Sequence, residues 1–182
     1  MSVYGAKDLE AAFRTVRKNT IVIAEEIPAD KYSFKAAPGV KSVAEMLAHV
    51  AGSTGWQLEF HGGERVTFVD FSKFAEGMAH AQAAEQALAR LSKDDILKAL
   101  GDSGEQFASF LGGLGQDVLD EHVSFPPPVT PSSKSRFEIL LSAKEHEMHH
   151  RGQLMLIERL LGIVPHLTRE MQARMAAAAA KS

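Results

Sequence analysis

The chain has 182 residues, a net charge of −3 and no cysteine. That length is enough for one domain, 1–182, with a core that needs no staple, and the missing cysteines exclude disulfides, iron–sulfur clusters, thiolate zinc sites and a cysteine nucleophile. The charge balance argues against nucleic acid, the longest stretch free of Asp, Glu, Lys and Arg (the thirteen residues Met46 to Leu58) falls short of the roughly 20 needed to cross a membrane, and the opening MSVYGAKDLE has no apolar signal core, so a soluble cytoplasmic protein is expected.

The first predicted helix runs from about Lys7 to Glu26. Leu9, Phe13, Val16, Thr20, Ile23 and Ile27 recur at alternating spacings of 4 and 3, one face of a helix, and Pro28 ends it. A loop with a Pro38-Gly39 turn follows. Ser42 and Glu45 form an S-x-x-E cap that opens a second helix, expected to reach about Phe60 despite Gly52 and Gly55, with Gly62-Gly63 as the stop. Those two glycines weaken the helix, and they either admit a close neighbour or leave room for a ligand. Residues 64–77 are weakly patterned. A helix rich in Ala, Gln and Glu spans about Met78 to Leu91, and Ser92 with Asp95 caps the next, whose buried face includes Ile96, Leu100, Phe107 and Leu114. The segment HVSFPPPVTPSS, residues 122–133, reads as an extended crossover or lid. The last long helix runs from about Ser133 to Leu161, stopped by Gly162 and Pro165, and a short tail helix starts at Thr168. No strand alternation or internal repeat is visible. An all-α four-helix bundle is the economical fold.

The chemistry signal lies in the last long helix. Ile139, Ala143, His146, His150, Gln153, Ile157, Leu160 and Val164 form one stripe, apolar at both ends and polar in the middle. His146 and His150 stand one turn apart, close enough to share a metal ion, although either ring can instead bond a carbonyl or face water. In the second helix His49 interrupts a stripe of Met46, Ser53, Trp56 and Phe60. If these two helices face each other, three imidazoles meet near the axis. Three neutral ligands leave positions open for water or substrate, the catalytic rather than the structural arrangement. Gln153 is a candidate for orienting a ligand or water, and Ser53 and Trp56 for walling the pocket, with the core the stronger reading for Trp56. His149, His61, His166 and His80 are weaker candidates, and His122 could reach the site only as part of the loop.

His146-Glu147-Met148-His149-His150 also fits H-E-x-x-H, the zinc-peptidase pattern, with Glu170 as a conceivable third ligand. Gln153 stands where the metzincin extension requires glycine, no sheet is predicted, and His49 is left unexplained. On the simpler view Glu147 is a flank charge paired with Arg151 at i+4.

The stretches SVAEMLAHVAGSTGWQLEF and EHEMHHRGQLMLIERLLGIVP, with the long gap between them, resemble the DinB/YfiT-like superfamily over about Leu9 to Pro165. The sharpest parts are the LAH of the second helix and the H-x-x-x-H-R-G-Q of the last. The resemblance implies an up-down-down-up four-helix bundle and a divalent metal on His49, His146 and His150, nickel or zinc first, with iron or manganese as alternatives. It also implies a small-molecule substrate, often with a low-molecular-weight thiol as co-substrate, and frequent homodimers. The expected function is a metal-dependent transferase or hydrolase that activates a thiol or water. The alternative is a non-catalytic metal-binding or stress-response bundle, and no protein residue stands out as a catalytic acid or base.

Overall fold

Serines fix where three of the helices begin. Ser42, Ser92 and Ser135 each accept a hydrogen bond from the backbone N–H three residues on, while Glu45, Asp95 and Glu138 accept from the backbone of the capping serine. The computed structural model describes residues 4–63 and 65–180. Its helices are α1 (Ala6–Glu26), α2 (Val43–Gly52), α3 (Gly55–Gly62), α4 (Phe71–Leu88), α5 (Lys93–Gly112), α6 (Gln116–Leu119), α7 (Arg136–Leu160) and α8 (His166–Ala179).

Three expectations shift. The second helix breaks at Ser53 and Thr54, between the two glycines, where the Ser53 hydroxyl turns back to the Val50 carbonyl. The Ala-rich helix starts seven residues earlier than Met78, at Phe71, because Asp70 caps it by accepting from the backbone of Ser72 and Lys73. The proline-rich segment is a hairpin: β1 (His122–Ser124) pairs antiparallel with β2 (Ser133–Ser135) in the register His122–Ser135, Val123–Lys134 and Ser124–Ser133. Strands of three residues are too short to show alternation in a sequence.

Contacts along the helices give their directions. α1 and α5 are antiparallel, since Arg14 pairs with Glu105 near one end and Lys93 donates to the Ile27 carbonyl at the other. α1 and α7 are parallel, with Tyr4 against Phe137 and Arg17 paired with Glu147. α2–α3 runs against α7, with His49 beside His146 and His61 beside Arg136. The bundle is therefore up-down-down-up, with α4 added against α2. Among the described residues no helix is long and apolar enough to cross a membrane.

The apolar core falls into two clusters. One gathers Ile23, Ile27, Leu47, Ile96, Leu100, Leu154 and Ile157, the other Phe13, Phe107, Leu111, Leu119 and Leu140. Each fully buried side chain of this kind contributes roughly 1.5–3 kcal/mol. A polar layer separates the clusters. Arg17 lies between Phe13 and Ile23 on α1, Gly104 between Leu100 and Phe107 on α5, and Glu147 between Ala143 and Leu154 on α7. Arg17 and Glu147 are 4% and 1% exposed, with the arginine Nε 2.9 and 3.0 Å from the two carboxylate oxygens. The guanidinium also donates to the Leu100 carbonyl (2.7 Å), the Ser103 hydroxyl (2.9 Å) and the Val50 carbonyl (3.3 Å). Gly104 is required here, since a Cβ would sit 2.6 Å from Arg17 Cγ.

Two further buried polar groups frame the bundle. Arg136 donates to Glu121, to Nδ1 of His61 (2.9 Å) and to the Val66 carbonyl, and burial beside this cation pushes His61 down to about 4. At the other end Glu158 is fully buried and no donor meets either carboxyl oxygen. Burial, and then the nearby Glu26, push it up to about 7.

Candidate metal centre

His49 lies two turns into α2, and His146 and His150 lie one turn apart in the middle of α7. Because α2 and α7 run antiparallel, their polar mid-sections meet. Nε2 of His146 is 3.0 Å from Nε2 of His49 and 3.1 Å from Nε2 of His150. The rings meet edge to face, with centroids 4.6–4.9 Å apart. Among the described residues this is the one group of three or more His, Asp or Glu that brings its ligand atoms within 4.8 Å of one another.

The outward-facing ring atoms assign the protons. His49 Nδ1 is 2.9 Å from Oε2 of Glu85, a carboxylate that can only accept, so the proton sits on Nδ1 and Nε2 carries a bare lone pair. His150 Nδ1 donates to Oε1 of Gln153 at 2.8 Å, which bares its Nε2 in the same way. A single proton on His146 Nε2 can serve one of these two neighbours, not both. Half-buried lone pairs facing each other at this distance call for a cation. Tetrahedral zinc with nitrogen ligands at about 2.0–2.1 Å spaces them about 3.3 Å apart, close to the two spacings made by His146. Burial, and then His150 and His49, push His146 down to about 4, and burial pushes His150 down against the opposing bond from Gln153. Both are neutral near pH 7, the form that ligates metal. No fourth side chain closes the cluster among the described residues. Glu85 is held one bond further out, on the far side of the His49 ring.

A cavity of ≈250 Å³ opens beside His49 and His146, lined by Ser53, Trp56, Gln57, Met78, Ala81 and Ser142. Gln57 is 2% exposed and its Oε1 has no hydrogen-bond partner.

The three histidines expected to converge do so. Gln153 orients His150 and also donates to His149, which is exposed on the flank. Ser53 lines the cavity. So does Trp56, a half-buried wall rather than the core residue expected. The peptidase reading falls on Glu147. It is not an exposed flank charge paired with Arg151 but the buried partner of Arg17, with no freedom to accept a substrate proton. Glu170 pairs with Arg174 on α8, away from the cluster. Glu45 caps α2 and pairs with Lys35, His122 bonds Ser133 inside the hairpin, and His80 is exposed. His166 opens α8 two residues before the expected start, where its Nε2 lies 3.3 Å from Oδ1 of Asn19. Glu85 escaped the sequence reading, hidden in a helix whose apolar stripe is sparse. Gly52 belongs with it: a Cβ there would lie 3.0 Å from Glu85 Cγ and 3.2 Å from Oε1, so this glycine makes room for the carboxylate.

The fold and the cluster together define a class of helical bundle with three convergent histidines and one side left open. The DinB superfamily matches residues 12–154, and the chain belongs to that superfamily. No curated protein matches it. Its fold is similar to that of an uncharacterised protein from Clostridium difficile 630, at 14% identity and a TM-score of 0.65 over 87% of this chain and 98% of that one. A protein from Streptococcus pneumoniae is similar at 16% identity and a TM-score of 0.64, over 87% and 93% of the two chains.

Proposed function

We propose that His49, His146 and His150 hold a divalent metal ion and that the chain is a metal-dependent enzyme, a thiol transferase or a hydrolase, acting on a small molecule. The observation that carries this reading is the convergence of three Nε2 atoms that cannot all be satisfied by protons, beside a cavity. A bound ion supplies Lewis acidity that makes a thiol or water a nucleophile near neutral pH. Nickel or zinc suits three imidazoles. The chain's own residues do the rest. Glu85 fixes the tautomer and tilt of His49 and places one negative charge against the site, and Gln153 does the same for His150 without charge. Trp56, Met78 and Ala81 exclude water from one side of the cavity, while Ser53, Ser142 and Gln57 offer polar contacts. Among the described residues the one carboxylate lining the cavity is Glu85, held on His49, which favours a reaction in which acidification of the nucleophile suffices.

Elemental analysis of purified protein tests the ligand set. His49→Ala, His146→Ala and His150→Ala each lose bound metal, and Glu170→Ala keeps it. Wild-type metal content in His49→Ala would end the reading. Assays of a thiol with a conjugable electrophile, run beside ester and amide hydrolysis, separate transferase from hydrolase.

A further inference from the structure

A second hollow adjoins the cavity beside the histidines. Trp56 and Met78 line the ≈250 Å³ space next to His49 and His146, and the same two residues line a neighbouring hollow of ≈280 Å³. That hollow is walled by Phe60, Val66, Phe68 and Gly77, with Lys73, Asp70 and Glu59 at its rim. Its apolar walls face water: Phe68 is 53% exposed, Val66 42% and Met78 41%. The outer wall is also fixed in place. Buried Arg136 donates to the Val66 carbonyl, Val69 N–H donates to the Ser124 carbonyl at 3.0 Å, and Ser124 N–H donates to the Thr67 carbonyl at 2.8 Å. A preformed apolar pocket that shares two walls with a polar, ligand-bearing one fits a molecule with both characters, and the two volumes together reach the usual range for a small-molecule site.

From this juxtaposition we infer that the substrate class is an amphiphile, whose reacting polar end sits at the histidines while an uncharged aromatic or alkyl arm lies in the chamber between α3, α4 and residues 65–69. The inference rests on the proposed function for the polar end only. Gly77 supplies the means of testing it. It lies inside α4 on the chamber wall, and a Cβ there meets nothing within 4 Å, so a leucine starts from open space and in a helix that prefers it to glycine.

Zinc-loaded wild-type protein and Gly77→Leu are titrated with 1-alkanethiols from ethanethiol to hexanethiol and with the matching 1-alkanols. Trp56, the chain's single tryptophan, reports binding by its fluorescence. In the wild type, thiol affinity rises about three- to fourfold per added methylene. In Gly77→Leu the metal content and the affinity for ethanethiol are kept and the rise disappears. Wild-type affinity that is flat with chain length overturns the inference, and so does a Gly77→Leu that follows the wild type. Sedimentation is run alongside. A wild-type dimer that Gly77→Leu dissociates, with no effect of chain length, would give the chamber to a second copy of the chain and also overturn it. Thiols that bind no better than alkanols while the rise persists would support the chamber and count against nucleophile activation at the histidines.

Discussion

His146 and Glu147 are adjacent in the chain and opposite in kind. Glu147 turns inward, where both oxygens bond the Arg17 guanidinium and that guanidinium bonds two carbonyls and a hydroxyl besides. Its neighbour faces two imidazoles across 3.0 and 3.1 Å with too few protons to go round. The first is a closed polar network that belongs to the fold. The second is an open one that becomes complete only with something bound. What separates a structural from a functional polar group here is whether its hydrogen bonding is finished, since both sit in the same layer of the same bundle.

The largest expected effect comes from opening the closed network. Arg17→Met or Glu147→Leu alone costs about 3–5 kcal/mol in denaturant unfolding, because an unpartnered charge stays buried, and the double replacement Arg17→Met with Glu147→Leu recovers most of the loss. Additive losses in the double variant would show that the pair is not the closed unit described. The next effect sharpens the open side. Glu85→Gln lowers metal affinity roughly 10- to 100-fold by competition titration with little change in stability, and Gly52→Ala, which crowds the same carboxylate, moves affinity in the same direction. Unchanged affinity in both would remove Glu85 from the site.

Glu158 is, with Glu147, one of two buried acids among the described residues, and it belongs with the unfinished groups. Its carboxyl is raised to about 7 in the folded chain from 4.5, so the folded state keeps a proton that the unfolded state releases in between. Stability from this group is full below 4.5 and is lost as pH rises through 7. Glu158→Gln therefore gains about 3 kcal/mol at pH 8 and almost nothing at pH 4.5, read from unfolding midpoints at the two values. A gain that is the same at both would mean the carboxyl does not titrate as described. The smallest effect tests Gln57. If its open acceptor serves a ligand rather than the fold, Gln57→Leu leaves stability within about 0.5 kcal/mol or raises it slightly. A loss of several kcal/mol would move Gln57 into the closed class.

The histidines were legible in the sequence because helical periodicity is a local property. An imidazole inside an apolar stripe marks its own direction, and two such stripes on helices long enough to form a bundle pair naturally. Glu85 and Arg17 left no such mark. Their partners lie 36 and 130 residues away, and neither interrupts a clear stripe. For Glu147 a local partner at i+4, Arg151, was the more visible choice, and the true partner needed the fold. The start of α4 was missed because Asp70 caps it without the serine-and-acid pair that signalled α2 and α5, and the break at Ser53 and Thr54 was masked by stripes that continue across it.

The serine caps have a consequence for how this bundle tolerates change in length. His49 stands seven residues after Ser42 and His146 eleven after Ser135, so at about 100° per residue each ring returns to within about 20° of its serine's bearing. Each serine thus acts as the zero mark of a ruler. A residue gained or lost in the loop before Ser42, or at the tip of the hairpin between β1 and β2, only changes the length of a surface loop. The same change after the mark swings an imidazole by about 100° and takes it off the cluster, so the shortest stretches of the chain that must keep their length to the residue are 42–49 and 135–150.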